Sequence, residues 1–152
     1  MKKQLFLLLP NLRSGWNTGA FFRVADALGV ERIFLTGHTP YPPHQEIAKT
    51  ALGAEHSVPW EFHLGSNCIL QKLRKQGVQI VALENLPQAK ALEDFQTRAQ
   101  KICLVVGNEI SGVSNKILQL ADQILRIGMR GQKESLNVAT AGAIALWHLC
   151  QK

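Results

Sequence analysis

Six short apolar runs recur along the chain with helical patterns between them, and this alternation constrains the fold more than any other feature. The runs cover residues 4–9 (QLFLLL), 32–36 (RIFLT), 57–62 (SVPWEF), 78–83 (VQIVAL), 102–106 (ICLVV) and 123–127 (QILRI). Several are continuous rather than alternating, as expected of strands covered on both faces of a parallel sheet. Between them, residues 19–29 place Ala20, Phe21, Val24, Ala25 and Leu28 on one helical face and stop at Gly29. Residues 67–77 group Ile69, Leu70 and Leu73 and stop at Gly77, residues 114–121 follow a cap at Ser114, and a last helix runs over about 135–150. Strands alternating with helices predict an α/β fold, a mostly parallel sheet flanked by helices. Such sheets bind ligands beyond the carboxyl ends of their strands, so the segments after each strand hold the candidate residues.

With 152 residues the chain is read as one domain, 1–152, and 46% hydrophobic against 18% charged residues argues against disorder. The net charge of +6 fits an anionic partner, nucleic acid above all, or a solvated basic surface. Cys68, Cys103 and Cys150 stand apart and form no Cys-x-x-Cys pair, which reads as buried thiols of a reducing compartment. The five histidines form no ligand pair at helical spacing and are read as loop or surface residues, so no metal is expected. The apolar run behind Lys2 and Lys3 ends at Pro10, too short for a membrane span and without a cleavage site directly after it. It reads as a buried first strand, and the protein as cytoplasmic. Residues 36–45 (TGHTPYPPHQ) form one long loop stiffened by proline.

Three polar clusters follow three of the strands. In NLRSGWNTGAFFR (11–23), Asn17 is placed to cap a helix whose Arg23 lies off the core stripe, within reach of Asp26 for an exposed ion pair. In VVGNEISGVS (105–114), Gly107 and Gly112 allow close backbone approach around Glu109. In IGMRGQKESLN (127–137), Ser135 reads as the cap of the last helix. That helix carries Ala139, Gly142, Ala143 and Ala145, small residues that let it press closely against other backbone. Neither a Walker loop nor G-x-G-x-x-G occurs, so a nucleotide-binding oxidoreductase is disfavoured.

Taken in order, NTGAFFR, GNEISG and IGMRGQKESLNVATAGA resemble the three motifs of the TrmH (SpoU) family of SPOUT RNA methyltransferases, N-x-G-x-x-x-R, G-x-E-x-x-G and I-x-M-x-G…S-L-N-V. The resemblance implies methyl transfer from S-adenosylmethionine to a ribose 2′-hydroxyl of tRNA or rRNA. It also implies a SPOUT-type fold with a C-terminal deep trefoil knot, and a homodimer with both active sites near the interface. By the same resemblance Arg23 is the catalytic arginine, with Asn17, Glu109, Ser135 and Asn137 as its motif partners. Leu83, Glu84, Gly107, Asn108, Ile127, Met129, Ser135 and Leu136 fall at cofactor positions. Arg13, Arg23, Arg130 and Lys133, with Lys2 and Lys3, are the candidates for gripping RNA. A chain limited to this unit would need the dimer, the proline-rich loop or another protein for that grip. An RNA-binding relative that has lost catalysis is the second reading, and the presence of every motif polar residue argues against it.

Overall fold

Every adjacent pair of strands runs parallel, so the segments that leave the strands emerge along one edge of the sheet. The computed structural model describes residues 2–151. In it β1 (Gln4–Pro10), β2 (Arg32–Thr36), β3 (Trp60–His63), β4 (Gln79–Leu83), β5 (Lys90–Ala91), β6 (Lys101–Val105) and β7 (Gln123–Arg126) take the order β3-β2-β1-β6-β4-β7-β5. The helices are α1 (Gly15–Leu28), α2 (Gln45–Ala51), α3 (Ala54–Ser57), α4 (Ser66–Lys75), α5 (Asn115–Leu120) and α6 (Val138–Gln151).

A continuous apolar strand sends alternate side chains to opposite faces and so builds two cores at once. From β1, Leu5, Leu7 and Leu9 join Phe21 and Phe22 of α1, Ile47 of α2, and Leu146 and Leu149 of α6. Leu8 joins Leu70 and Leu73 of α4 and Ile117 of α5 on the other face. Leu7, Leu8 and Leu9 are fully buried, each contributing about 1.5–3 kcal/mol. The chain steps from β1 outward to β2 and β3, while β6 flanks β1 on its other side. The crevice beyond β1 and β6 is therefore where the winding changes direction, the usual ligand position in such sheets.

The sheet and its two helical layers agree with the expected α/β fold, but several local expectations do not hold. Ser14, not Asn17, caps α1, because its hydroxyl reaches the Asn17 N–H at 3.1 Å one turn on. Asn137, not Ser135, caps α6, its Oδ1 accepting from the N–H of Ala139 at 2.9 Å and Thr140 at 3.2 Å. The third strand begins at Trp60, since the preceding segment closes α3 with Ser57 as its last residue. The Arg23–Asp26 pair is not formed, and Asp26 Oδ1 instead accepts from the Ser57 hydroxyl at 2.9 Å. Cys68 is exposed rather than buried, while burial pushes the Cys103 thiol pKa up. His63 in β3 and His148 in α6 are half-buried, neither in a loop nor fully on the surface. The short α2, α3 and β5 carry too few residues for a periodic signal.

At Gly142 the small face of α6 meets side chains rather than backbone. A methyl group on Gly142 would overlap the ring of Phe21 and touch Val106, so glycine here lets α6 lie close on α1.

Candidate active site

The segments after β4, β6 and β7 line a cleft of about 510 Å³ at that edge, next to the N-terminus of α1. Hydrogen bonds crossing between loops hold it. The first turn of α1 contains no acidic residue, and Glu109 supplies the negative charge from the loop after β6. Its carboxylate accepts from the backbone N–H of Arg13 at 3.0 Å and Ser14 at 3.1 Å, and from Asn17 Nδ2 at 3.2 Å. Unpaired N–H groups and the helix dipole both favour an anion at that place.

Burial pushes the Glu109 pKa up, but the hydrogen bonds from Arg13, its own N–H, Asn17 and Ser14 outweigh it and hold the carboxyl below the usual range. A depressed folded pKa contributes stability that is present above the unfolded value and lost as pH falls through the folded one. Glu109→Gln is therefore expected to melt below the parent at neutral pH, with the gap closing at a pH below the usual carboxylate range. Thermal melts at the two pH values check this. A gap that stays constant would show that the charge on Glu109 is not what stabilises this junction.

The network continues into the third motif. Asn17 Oδ1 accepts from Asn137 Nδ2 at 3.2 Å, and Asn137 Oδ1 accepts from the first N–H groups of α6. A carboxylate at one end only accepts and backbone N–H groups at the other only donate, so the orientation of both amides between them is fixed. One residue from each motif thus joins a single chain of bonds, Glu109 to Asn17 to Asn137.

The loop after β6 is tightly wound. Asn108 and Gly112 exchange backbone hydrogen bonds at 3.0 Å, and Asn108 Oδ1 accepts from Ile110 and Ser111 N–H. A Cβ on Gly107 would overlap the Gly112 backbone, and Gly112 itself has φ +71°, so glycine is required at both. Glu84 Oε2 accepts from Val113 N–H at 2.6 Å, and Asn85 Nδ2 donates to the Glu134 carbonyl at 2.9 Å. The end of β4 thereby anchors the two other cleft loops.

The cleft brings together Leu83 and Glu84 at the end of β4, Gly107, Asn108 and Glu109 after β6, and Ile127, Met129, Ser135, Leu136 and Asn137 after β7. Asn17 stands behind this wall, bonded to two of its members. Arg13, Arg23, Arg130 and Lys133 are exposed and outside the lining. Arg13 meets the site through its backbone N–H. Among the described residues nothing pairs with the Arg23 guanidinium or the Ser135 hydroxyl. Lys2 and Lys3 precede β1 and so lie at the opposite edge of the sheet, where Lys3 Nζ donates to the Thr97 carbonyl. Asn85, Val106, Ile110, Arg126, Val138 and Ala141 also line the cleft, beyond the candidate site residues named from the sequence; the position of Asn85 two residues after β4 was an available signal.

The lining mixes apolar groups (Leu83, Val106, Ile127, Leu136) with polar ones (Asn108, Ser135, Asn137). Among the described residues no group of three or more His, Cys, Asp or Glu could hold a metal ion. None of their helices is long and apolar enough to cross a membrane.

The model of the SpoU rRNA Methylase family matches residues 4–147. The tRNA (guanosine(18)-2′-O)-methyltransferase of Escherichia coli K12 is 31% identical over 94% of this chain and 61% of its own length. The 23S rRNA (guanosine(2553)-2′-O)-methyltransferase of Bacillus subtilis is 30% identical over 94% of this chain and 56% of its own. The chain thus spans little more than half the length of these curated relatives. Among solved structures, an AdoMet-bound rRNA methyltransferase from Sinorhizobium meliloti superposes with a TM-score of 0.92, at 26% identity, over 99% of this chain and 57% of that one. The family pattern runs from the first strand to the last helix, its three motifs close on one cleft, and the chain belongs to the SpoU rRNA methylase family.

Proposed function

We propose that this chain transfers a methyl group from S-adenosylmethionine to a ribose 2′-hydroxyl of tRNA or rRNA. The observation that carries the reading is the Glu109–Asn17–Asn137 chain of bonds, which draws all three motifs onto one cleft. The cleft suits the donor: its volume lies in the range of small-ligand sites, and its lining offers apolar groups for a flat base and polar ones for an amino-acid tail. Leu83, Ile127 and Leu136 would flank the base, with Gly107, Asn108, Met129 and Ser135 beside the rest. The Glu84 carboxylate, held by Val113 N–H, shapes the loop opposite.

S-adenosylmethionine supplies a methyl group on a cationic sulfur. The chain must place a hydroxyl oxygen in line with it and see the hydroxyl proton removed. Arg23 is the residue assigned to that oxygen. A guanidinium is not deprotonated in proteins, so stabilising the developing oxyanion and gripping a phosphate in two places suit this residue better than acting as a base. Asn137 and Ser135 border the same space, and Glu109 holds Asn17 and the start of α1 in register.

A homodimer belongs to this reading. Trp16 on α1 and Ile144 and Trp147 on α6 are 46%, 42% and 60% exposed, large apolar groups that a second copy would cover. A threaded C-terminus belongs to it as well. β6 lies between β1 and β4, and β7 between β4 and β5, so later segments enter between earlier ones. The RNA substrate would place the work in the cytoplasm.

Calorimetric titration with S-adenosylmethionine, and separately with NADH, tests the cofactor, and tritiated methyl transfer to tRNA and rRNA from a strain lacking the gene tests the reaction. Donor binding and methylated RNA are expected. Binding of NADH alone, or donor binding without label in either RNA pool, would overturn the proposal.

A further inference from the structure

A second cavity, of about 470 Å³, opens at the same edge of the sheet. It adjoins the first across one hydrogen bond: Asn108, in the wall of the first cleft, donates from Nδ2 to the carbonyl of Asn11, in the wall of the second, at 2.6 Å. Asn11, His63, Ser66, Asn67, Cys68 and Lys116 line it, and no carboxylate does. The nearby Glu61 is engaged by Arg32 at 2.9 Å and His63 at 3.3 Å. The Ser66 hydroxyl is shared with Thr36 at 2.7 Å. Among the described residues neither the Lys116 ammonium nor the Asn67 amide has a partner. The cavity therefore offers one uncompensated positive charge and neutral hydrogen-bonding groups beside Leu64 and Ile117. That combination suits a sugar phosphate, with the cation on the phosphate and the amide on sugar or base.

We propose that this cavity holds a nucleotide of single-stranded RNA next to the one that is methylated, with Lys116 on its phosphate and Asn67 on its sugar or base. The inference rests on the RNA methyltransferase reading. The loop carrying Asn108 and Glu109 would then divide two consecutive nucleotides, one at each cleft. Lys116 follows that loop directly at the start of α5.

Cys68 makes the test direct, because it is an exposed thiol in the wall of the cavity. Its modification by N-ethylmaleimide is followed by mass spectrometry, with Cys150 as the internal control. RNA from a gene-deleted strain, enriched by its capacity to accept tritiated methyl groups, is the probe. Saturating RNA is expected to suppress most modification of Cys68, whereas S-adenosylmethionine and 5′-AMP alone are not. Lys116→Ala is expected to weaken RNA binding several-fold and to lower the slope of log K against log salt by about 0.7, one single-strand phosphate contact. It should leave S-adenosylmethionine affinity unchanged. RNA that is bound and methylated while Cys68 reacts at its full rate, or a Lys116→Ala slope equal to the parent's, overturns the subsite alone. Equal protection by 5′-AMP would make it a mononucleotide site and overturn it too. RNA that is neither bound nor methylated overturns the methyltransferase reading itself.

Discussion

Arg23→Ala is expected to bind S-adenosylmethionine as the parent does and to lose about 10²- to 10³-fold in methyl transfer, the usual loss when a preorganised group facing developing negative charge is removed. The separation of the two effects follows from where Arg23 lies. It projects from an exposed position of α1, outside the lining of the cleft. Among the described residues no carboxylate holds it, and Asp26 Oδ1 instead accepts from the Ser57 hydroxyl. On the proposed reading, a long cation left unpaired would find its partner in the RNA substrate. Arg23→Lys distinguishes its roles. A lysine keeps the charge but loses the fork that grips two oxygens, so a role in holding a phosphate predicts a raised KM for RNA. A role confined to charge at the 2′-oxygen predicts a smaller loss in kcat with KM unchanged. Isotope-labelled turnover on a verified RNA, with donor affinity from calorimetry, reads both. Full turnover by Arg23→Ala would remove Arg23 from the reaction.

The layers of this fold are legible in the chain because continuous apolar runs have few other uses. Leu7, Leu8 and Leu9 cannot be placed unless both faces of β1 are covered, and the two cores follow. The cleft residues were reachable for a related reason: they stand directly behind strands, and in a parallel sheet all such positions share one edge. The caps were less legible. Ser14 and Asn17 are both good capping residues, as are Ser135 and Asn137. The choice within each pair is made by tertiary contacts: Asn17 is drawn to Glu109 and Asn137 to Asn17. Nor does any local pattern reveal that Glu109 supplies the missing negative charge at the start of α1, or that Glu84 holds the loop at Val113. Those bonds join segments far apart in sequence and exist only once the sheet has been assembled.

The glycine within NTGAFFR has a structural reason that the sequence alone did not disclose. Gly19→Ala is expected to lower the unfolding free energy by about 1–3 kcal/mol through overpacking, even though alanine in place of glycine in a helix ordinarily gains about 1 kcal/mol. A Cβ on Gly19 would overlap the Thr50 hydroxyl and the backbone carbonyl of Ile47, both on α2. The hydroxyl already donates to the Trp16 carbonyl at 2.8 Å, and the carbonyl belongs to a helix turn that cannot yield singly. The only relief is to move α2 away from α1, which opens the fully buried contacts of Ile47 with Phe21 and Phe22. Denaturant unfolding of three proteins separates the causes. Ala27→Gly, on the exposed side of the same helix, should cost about 1 kcal/mol from propensity alone. Adding Thr50→Ala to Gly19→Ala should recover only part of the loss, because the Ile47 carbonyl remains. A Gly19→Ala protein as stable as the parent would mean that α2 does not pack on α1 in this way, and the glycine of the first motif would then owe its place to the reaction rather than to the helix pair that carries Asn17 and Arg23.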